Sequence, residues 1–398
     1  MEAPGKGEIG DEQMRVLRIA HASLTPALRQ RERALVRCHP DVDLEVVTTP
    51  QWREAEVDVK ATPDDLFRVT TARPLFSKHI QLFAYAPGPI VAALRRHRPH
   101  LIDLGHEPYS VACAEVLTLC DWFAPQAPIV MHVNHNIFHR YPPPFNWLEQ
   151  RAFKRVAAAY VCSVTVSEVL RAKGFDKPTP LITYGVNLKD FSPAAKVRNG
   201  VARKPTIGFV GRMLPGKGLQ ILGEALAKLK MDDWQVLVVG EGSEREAFER
   251  QLGEHGLLDR AQFTGAVSYN LVSGYFDQMD VLVIPTQTTK RIREQFGRVI
   301  VEAMASGVPV IGSTCGAIPE VIGDAGLVFT EGDADALADA LRRTLSDRGL
   351  REYMTRAGLA RVQQYSWDRV ADKMYELYRQ VLKTKREGVL DSGMELAA

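Results

Sequence analysis

Short apolar strand patterns alternate with helix-period segments along nearly all of this chain, and few folds accommodate that alternation. In the first half, strand patterns at 15–20, 44–48, 100–104, 129–133 and 159–164 are interleaved with helix patterns at 26–37, 89–97, 110–122 and 145–156. In the second half, strands at 206–210, 234–239, 281–285 and 308–311 alternate with helices at 219–229 and 245–252 and a short one after Gly297. Amphipathic helices at 333–345, 350–365 and 367–385 follow. Wholly apolar strands separated by helices suit a parallel sheet covered on both faces. Between the halves, residues 192–205 gather Pro, Gly and charge with no apolar period, which reads as a linker. The expected architecture is α/β: a disordered leader at 1–13, a Rossmann-like domain at 14–195, a second at 206–366 and a final helix at 367–386. Doubly wound sheets bind ligands at the carboxyl ends of their strands, so two such edges could serve one ligand by facing each other across a cleft.

Composition narrows the function. A net charge of +2 over 398 residues argues against wholesale nucleic-acid binding. Cys38, Cys113, Cys120, Cys162 and Cys315 form no C-x-x-C pair, so buried free thiols in a reducing compartment are expected. No apolar run approaches the ~18–20 residues of a membrane span, and the first residues lack the apolar stretch of a signal peptide. A cytoplasmic location follows as an expectation. The segment 26–37 carries Arg29, Arg31, Arg33 and Arg37. The plain reading is a solvated helix face. The sharper one is a surface for an anionic acceptor or lipid headgroups, hence a peripheral contact at the inner membrane surface.

The chemistry concentrates in residues 294–313. Ile300, Ala303, Met304 and Gly307 fall on one helix face, and Gly307 stops the helix. The backbone N–H groups of Gly297, Arg298 and Val299 would be free at the helix start, where the dipole adds positive charge and phosphate binds readily. Glu294 lies before the helix and Glu302 within it, placing one carboxylate toward each end of a phosphate-centred ligand. The competing reading is a surface Glu294 and a structural Arg298–Glu302 pair. Gly211-Arg212-Met213-Leu214-Pro215-Gly216-Lys217-Gly218 follows the first strand of the second half and aims two cations, Arg212 and Lys217, at one place. Its spacing is not that of a Walker loop. Gly240-Glu241-Gly242 reads as a tight turn, and Gly265 to Val267 as a stretch able to line a base.

In the first half, His132, His135 and His139 cluster at a strand end. His132 reads as a core residue and His135 lies past the strand, where ligands are met. No carboxylate or cysteine completes a metal set with them, so no metal is expected. Asp41 with Asp43, and Asp333 with Asp335, read as solvated surface.

These motifs resemble those of retaining glycosyltransferases of family 4, which have the GT-B fold. The resemblance rests on Glu294 and Glu302 in an E-x7-E element, on the Gly211-Arg212…Lys217-Gly218 loop, and on Gly316-Ala317-Ile318-Pro319-Glu320. Glu107-Pro108-Tyr109-Ser110 and the segment from Asn136 to the prolines at 142–144 look like one branch of that family. The resemblance implies a nucleoside-diphosphate sugar donor, UDP- or GDP-linked, and no cofactor. Arg212 and Lys217 would neutralise the diphosphate, and the N–H groups of Gly297, Arg298 and Val299 would bind its oxygens. Glu302 would hold the ribose, Val267 would neighbour the base, and Glu294 and His135 would serve the transferred sugar. The final helix would cross back to the first domain. The acceptor, a glycan, a lipid-linked glycan or a small molecule, stays open. One departure stands out: many members carry Gly-Gly after the first strand, whereas this chain has His21-Ala22-Ser23. A glycosidase reading of the paired carboxylates is set aside, because a hydrolase needs no diphosphate cradle. A binding protein without turnover, and a phosphorylase or epimerase on the same fold, remain alternatives.

Overall fold

The structure is a computed structural model and describes residues 13–54, 57–76, 79–193 and 204–388. The leader up to residue 12, most of the linker and the last ten residues lie outside the described residues. The chain separates into two compact units. One holds the chain up to Cys162, Ser167–Ile182 and everything from Val370 onward; the other holds Ser163–Val166 and Thr183–Arg369. Residues 183–193 thus group with the second unit, anchored where Val186 N–H donates to the Tyr365 carbonyl at 2.8 Å.

Each unit is built on one parallel six-stranded sheet. The first uses β1 (Met14–Ile19), β2 (Val42–Thr48), β3 (Arg68–Thr71), β4 (Leu101–Leu104), β5 (Ile129–Val133) and β6 (Ala158–Val161). Its spatial order is β6-β5-β4-β1-β2-β3. The second uses β7 (Thr206–Val210), β8 (Gln235–Val239), β9 (Ala261–Phe263), β10 (Val281–Ile284), β11 (Val310–Ser313) and β12 (Leu327–Phe329). It repeats the pattern as β9-β8-β7-β10-β11-β12. Both are the doubly wound 3-2-1-4-5-6 order, with a break in winding direction between the first and fourth strands. Residues of β4, β5, β6, β10 and β11 are buried throughout, as strands sandwiched between helix layers must be.

The sequence reading missed β3, β12 and the helix Val164–Ala172. β3 is a partly exposed edge strand, Arg-Val-Thr-Thr, with no apolar run to mark it. The strand expected at 159–164 ends at Val161, because Ser163 turns the chain into that helix. The strand expected at 308–311 runs Val310–Ser313, since Pro309 can donate no ladder bond.

The basic helix Gln30–Cys38 corrects the solvated-face expectation. Arg29 is fully buried, donates to the Thr62 carbonyl at 2.9 Å and pairs with Asp64 at 3.3 Å. Arg33 pairs with Asp64 and Asp65, and the Arg31 guanidinium lies 5.4 Å from the Tyr160 ring centre. Of the four arginines only Arg37 is exposed. The partners stand some thirty residues downstream, beyond the reach of a local pattern. The same segment therefore leaves Arg37 as its exposed arginine.

A buried charge network crosses the first sheet. Arg18 on β1 pairs with Glu32 at 2.5 Å and with Asp103 on β4 at 2.8 Å. Tyr160 on β6 donates to Asp103 at 3.0 Å, and Tyr378 of the last helix donates to it at 2.6 Å. Burial alone would push the Glu32 carboxyl up, but Arg18 and Arg31 outweigh it and hold the pKa below the usual range. The helix Trp367–Arg386 buries Val370, Ala371, Met374, Leu377, Tyr378 and Val381 along one face. From Val370 onward it belongs to the first unit. At its edge His39 stacks on Tyr375 at 3.9 Å, and Tyr375 donates to Asp41 at 2.5 Å. Asp41 is thus a surface residue that helps hold the last helix.

Tyr378→Phe removes one donor to a buried carboxylate while Arg18 and Tyr160 remain. Urea denaturation should show a loss of about 1–3 kcal/mol. An unchanged midpoint would show that the Tyr378 hydroxyl adds nothing to the stability of the fold.

Candidate active site

The two loops at the winding break of the second sheet are woven together. A Cβ on Gly218 would lie 1.8 Å from the Pro285 carbonyl oxygen, and Gly218 has φ +77°. Only glycine permits that approach. The loop after β7 thereby rests on the loop after β10, and Gln287 N–H donates to the Gly216 carbonyl at 2.8 Å. Lys217 then reaches Glu294, with Nζ to Oε2 at 2.7 Å and both side chains largely shielded. Glu294 is gripped from behind as well. A Cβ on Gly316 would lie 2.1 Å from the Glu294 carbonyl oxygen, which accepts the Ala317 N–H at 3.0 Å. Gly316 and Ala317 are therefore the backing of the Glu294 loop.

Helix Arg298–Ala305 begins beside this pair. Gly297 caps it at φ +79°, and no side chain bonds to the exposed end. The Ile300 N–H turns back to the Gly297 carbonyl at 2.8 Å, so the N–H groups of Arg298 and Val299 remain for a ligand. An uncapped helix start with glycine at its mouth is suited to an anion. Arg212 is exposed and has no charged partner among the described residues. The Arg298 side chain has other work: it hydrogen-bonds the Tyr269 hydroxyl at 3.0 Å and lies 3.6 Å from Glu302. Tyr269 in turn donates to Glu302 at 3.0 Å. Burial raises the Glu302 carboxyl pKa, with Arg298 and Tyr269 pulling against it. The Arg298–Glu302 pair thus exists, yet within a three-residue network in which Glu302 is buried and Arg298 stays exposed.

Gly240 and Gly242 do more than turn the chain. A Cβ on Gly240 would lie 2.0 Å from the Gly211 carbonyl oxygen, and one on Gly242 would lie 2.3 Å from that of Met213. Gly240 also bridges to Gly265, which brings Val267, half-buried against the second unit's core, to the same edge. Arg212, Lys217, Val267, Glu294, Gly297, Arg298, Val299 and Glu302 all lie in the second unit, in or just beyond the loops at its strands' carboxyl ends.

His135 lies in the first unit, past the end of β5. Burial, then His139 and Lys173, lower its pKa to about 4, so it is neutral near pH 7. His132 turns away into the core and stacks on Tyr160 at 4.7 Å. Just after β4, Glu107 accepts the Asn134 N–H at 3.0 Å. Burial raises the Glu107 carboxyl to about 7 against the pull of the Asn134 and His135 N–H groups. The loop after β1 packs His21 against Trp52 at 4.8 Å and His106 at 5.2 Å.

Residues 193–361 match the family model of glycosyl transferases group 1, and residues 32–190 match that of glycosyltransferase family 4. The chain belongs to glycosyltransferase family 4, with the GT-B fold. A phosphatidyl-myo-inositol mannosyltransferase of Mycobacterium leprae is 36% identical over 205 residues, 50% of this chain and 53% of that protein. A sulfoquinovosyl transferase of Arabidopsis thaliana is 27% identical over 329 residues, 76% of this chain and 60% of that protein. The chain thus spans little more than half the length of these relatives. HepE of Anabaena, solved in complex with UDP, superposes with a TM-score of 0.69 at 19% identity, covering 92% of this chain and 100% of HepE. That likeness is one of fold.

Several partners of the candidate residues escaped the sequence reading. Tyr269 sits in a one-turn helix with no periodicity to flag it. Glu107 entered the sequence reading only as part of a family motif, although a carboxylate just beyond a strand end is itself a signal. The cysteine reading needs one correction: four thiols are buried, but Cys38 is exposed at the end of its helix.

Glu107 generates a pH prediction. A carboxyl whose folded pKa exceeds its unfolded one loses stability as pH rises between the two, because the folded protein keeps a proton that the unfolded chain releases. For Glu107 that window runs from 4.5 to about 7. Glu107→Gln lacks this slope. Its unfolding midpoint should gain on the native protein's from pH 4.5 to 7 and then run parallel. Parallel curves across the whole range would place the Glu107 carboxyl at an ordinary pKa.

Proposed function

We propose that this protein transfers a sugar from a nucleoside-diphosphate sugar, UDP- or GDP-linked, to an acceptor hydroxyl with retention of anomeric configuration and without a metal. The observation that carries this reading is the Lys217–Glu294 contact beside an uncapped helix start, with Arg212 on the same loop. A cation held by a sugar-facing carboxylate, next to free backbone N–H groups, suits the junction of a diphosphate and a hexose.

In this reading Lys217, Arg212 and the N–H groups of Arg298 and Val299 take up charge as the bond between C1 and the phosphate oxygen breaks. That is an electrostatic task, most effective when the groups are already in place. The electron pair leaves with the phosphate. The acceptor oxygen bonds to C1 on the face that the phosphate leaves, and its proton passes to the leaving phosphate oxygen. Glu294 binds hydroxyls of the transferred sugar, and Glu302 holds the ribose against Tyr269. Cationic side chains at the diphosphate supply the neutralisation that a divalent ion gives elsewhere.

The test is a transfer assay with UDP- and GDP-sugars and a panel of hydroxyl acceptors. Glu294→Ala should lower turnover at least about a hundredfold while a nucleoside diphosphate still raises the melting temperature. Lys217→Ala should weaken that thermal shift. Full transfer by Glu294→Ala would end the proposal. Binding without turnover by the native protein would favour a binding protein, and a requirement for free phosphate a phosphorylase.

A further inference from the structure

A cavity of about 730 Å³ opens at the amino-terminal edge of the first sheet, opposite the edge that carries Glu107 and His135. It lies wholly in the first unit. Three helices end around it: Pro87–His97, Val111–Phe123 and Trp367–Arg386. The first two lead from there into β4 at Leu101 and β5 at Ile129. Arg95, Arg98, Lys385 and Arg386 line the cavity, and no carboxylate among the described residues does. Leu94 and Phe123 add apolar wall.

Cations at helix C-termini ordinarily offset the dipole, and that is the plain account of these four. It falls short on charge. Three helix ends bring about half a negative charge each, roughly −1.5 in all. Four full positive charges face them. Acids close in sequence are engaged elsewhere. Asp103 pairs with Arg18 at 2.8 Å, Asp121 with Arg151 at 3.0 Å and Arg155 at 2.6 Å, and Glu387 lies 3.9 Å from Lys383. The cavity's cations keep donors to offer. Lys385 gives one of its three N–H groups to the Gln126 carbonyl. Arg95 meets the Phe123 ring at 4.8 Å. The Arg98 and Arg386 side chains have no hydrogen-bond or ion-pair partner among the described residues.

Arg98 also stands where the backbone disfavours it. It closes the helix Pro87–His97 at φ +47°, in the left-handed region, with its N–H donating to the Leu94 carbonyl at 3.1 Å. Glycine is the ordinary residue at such a helix end. Only Phe76 and Arg98 hold a positive φ without being glycine among the described residues. A side chain kept in a costly conformation points to a task for that side chain.

We propose that this cavity binds a multiply charged phosphate group through Arg95, Arg98, Lys385 and Arg386. Guanidinium forks match phosphate oxygens in pairs, and a lysine adds a point charge. An incoming anion relieves the repulsion among the four cations, most strongly at low salt. The volume falls within the ~300–1,000 Å³ of small-molecule sites, so an organic body attached to the phosphate has room against Leu94 and Phe123. Free phosphate esters and phospholipid headgroups share this chemistry. The site is separate from the candidate donor loops of the second unit and does not rest on the transferase reading.

The test uses the full chain carrying Arg212→Ala and Lys217→Ala, so that the candidate donor loop contributes little. Calorimetric titration with inorganic pyrophosphate and tripolyphosphate probes the free form. Sedimentation with phosphatidylcholine vesicles, with and without phosphatidic acid, probes the headgroup form. At least one arm should show binding, and the arm that responds to the substitutions below names the source. Adding Arg98→Gly should weaken that binding at least about tenfold. The melting temperature should not fall, because glycine suits φ +47° better than arginine does. A purely structural Arg98 would do the reverse. Arg386→Gln, at an exposed helix end, should weaken binding by a similar factor and decides the matter if Arg98→Gly melts early. Arg343→Gln, at an exposed arginine of the second unit, should change nothing. Binding in neither arm, full binding by Arg386→Gln, or an equal loss in Arg343→Gln overturns the proposal.

Discussion

The candidate donor site depends on one backbone approach. Gly218 lies so close to the Pro285 carbonyl that a single Cβ would collide with it at 1.8 Å. That contact brings the loop after β7 against the loop after β10, on the two sides of the winding break. Lys217 and Glu294, far apart in the chain, meet as a consequence. Gly316 does the same from the other side, where a Cβ would lie 2.1 Å from the Glu294 carbonyl oxygen. Glycine serves here as an absence of volume, and the charged contact is the product of that absence.

The two units treat charge differently. In the first, Arg18, Glu32 and Asp103 are buried and paired with one another and with Tyr160 and Tyr378. Removing one member of such a buried pair is costly, because it leaves an uncompensated charge out of water. In the second, the cations of the site stay near water. Arg212 is exposed, and the Lys217 side chain keeps a quarter of its exposure. A cation that a ligand must engage is better left partly solvated than locked into a buried pair.

The first unit's strand ends have a character of their own. His21, Trp52, Phe83 and His106 crowd the end of β1, and Glu107 and His135 stand at the ends of β4 and β5. This edge has aromatic rings and hydrogen-bond acceptors where the second unit has cations and free N–H groups.

The amino-acid sequence alone determined the alternation of helix and strand, the places where glycine had to stand, and which cations and carboxylates flank the helix at Gly297. All of these are local: a period of 3.6 or 2, a missing side chain, a short spacing. Only the tertiary structure decided what each charged group meets. The arginines of 29–37 looked solvated because Asp64 and Asp65 lie a whole connection away. Glu302 looked like half of a surface pair because Tyr269 comes from another segment. Asp103 gave no sign that Tyr378, 275 residues later, would donate to it. Periodicity is written into neighbouring residues, whereas the partner of a buried charge is chosen by the packing of whole elements, and no local pattern carries that choice.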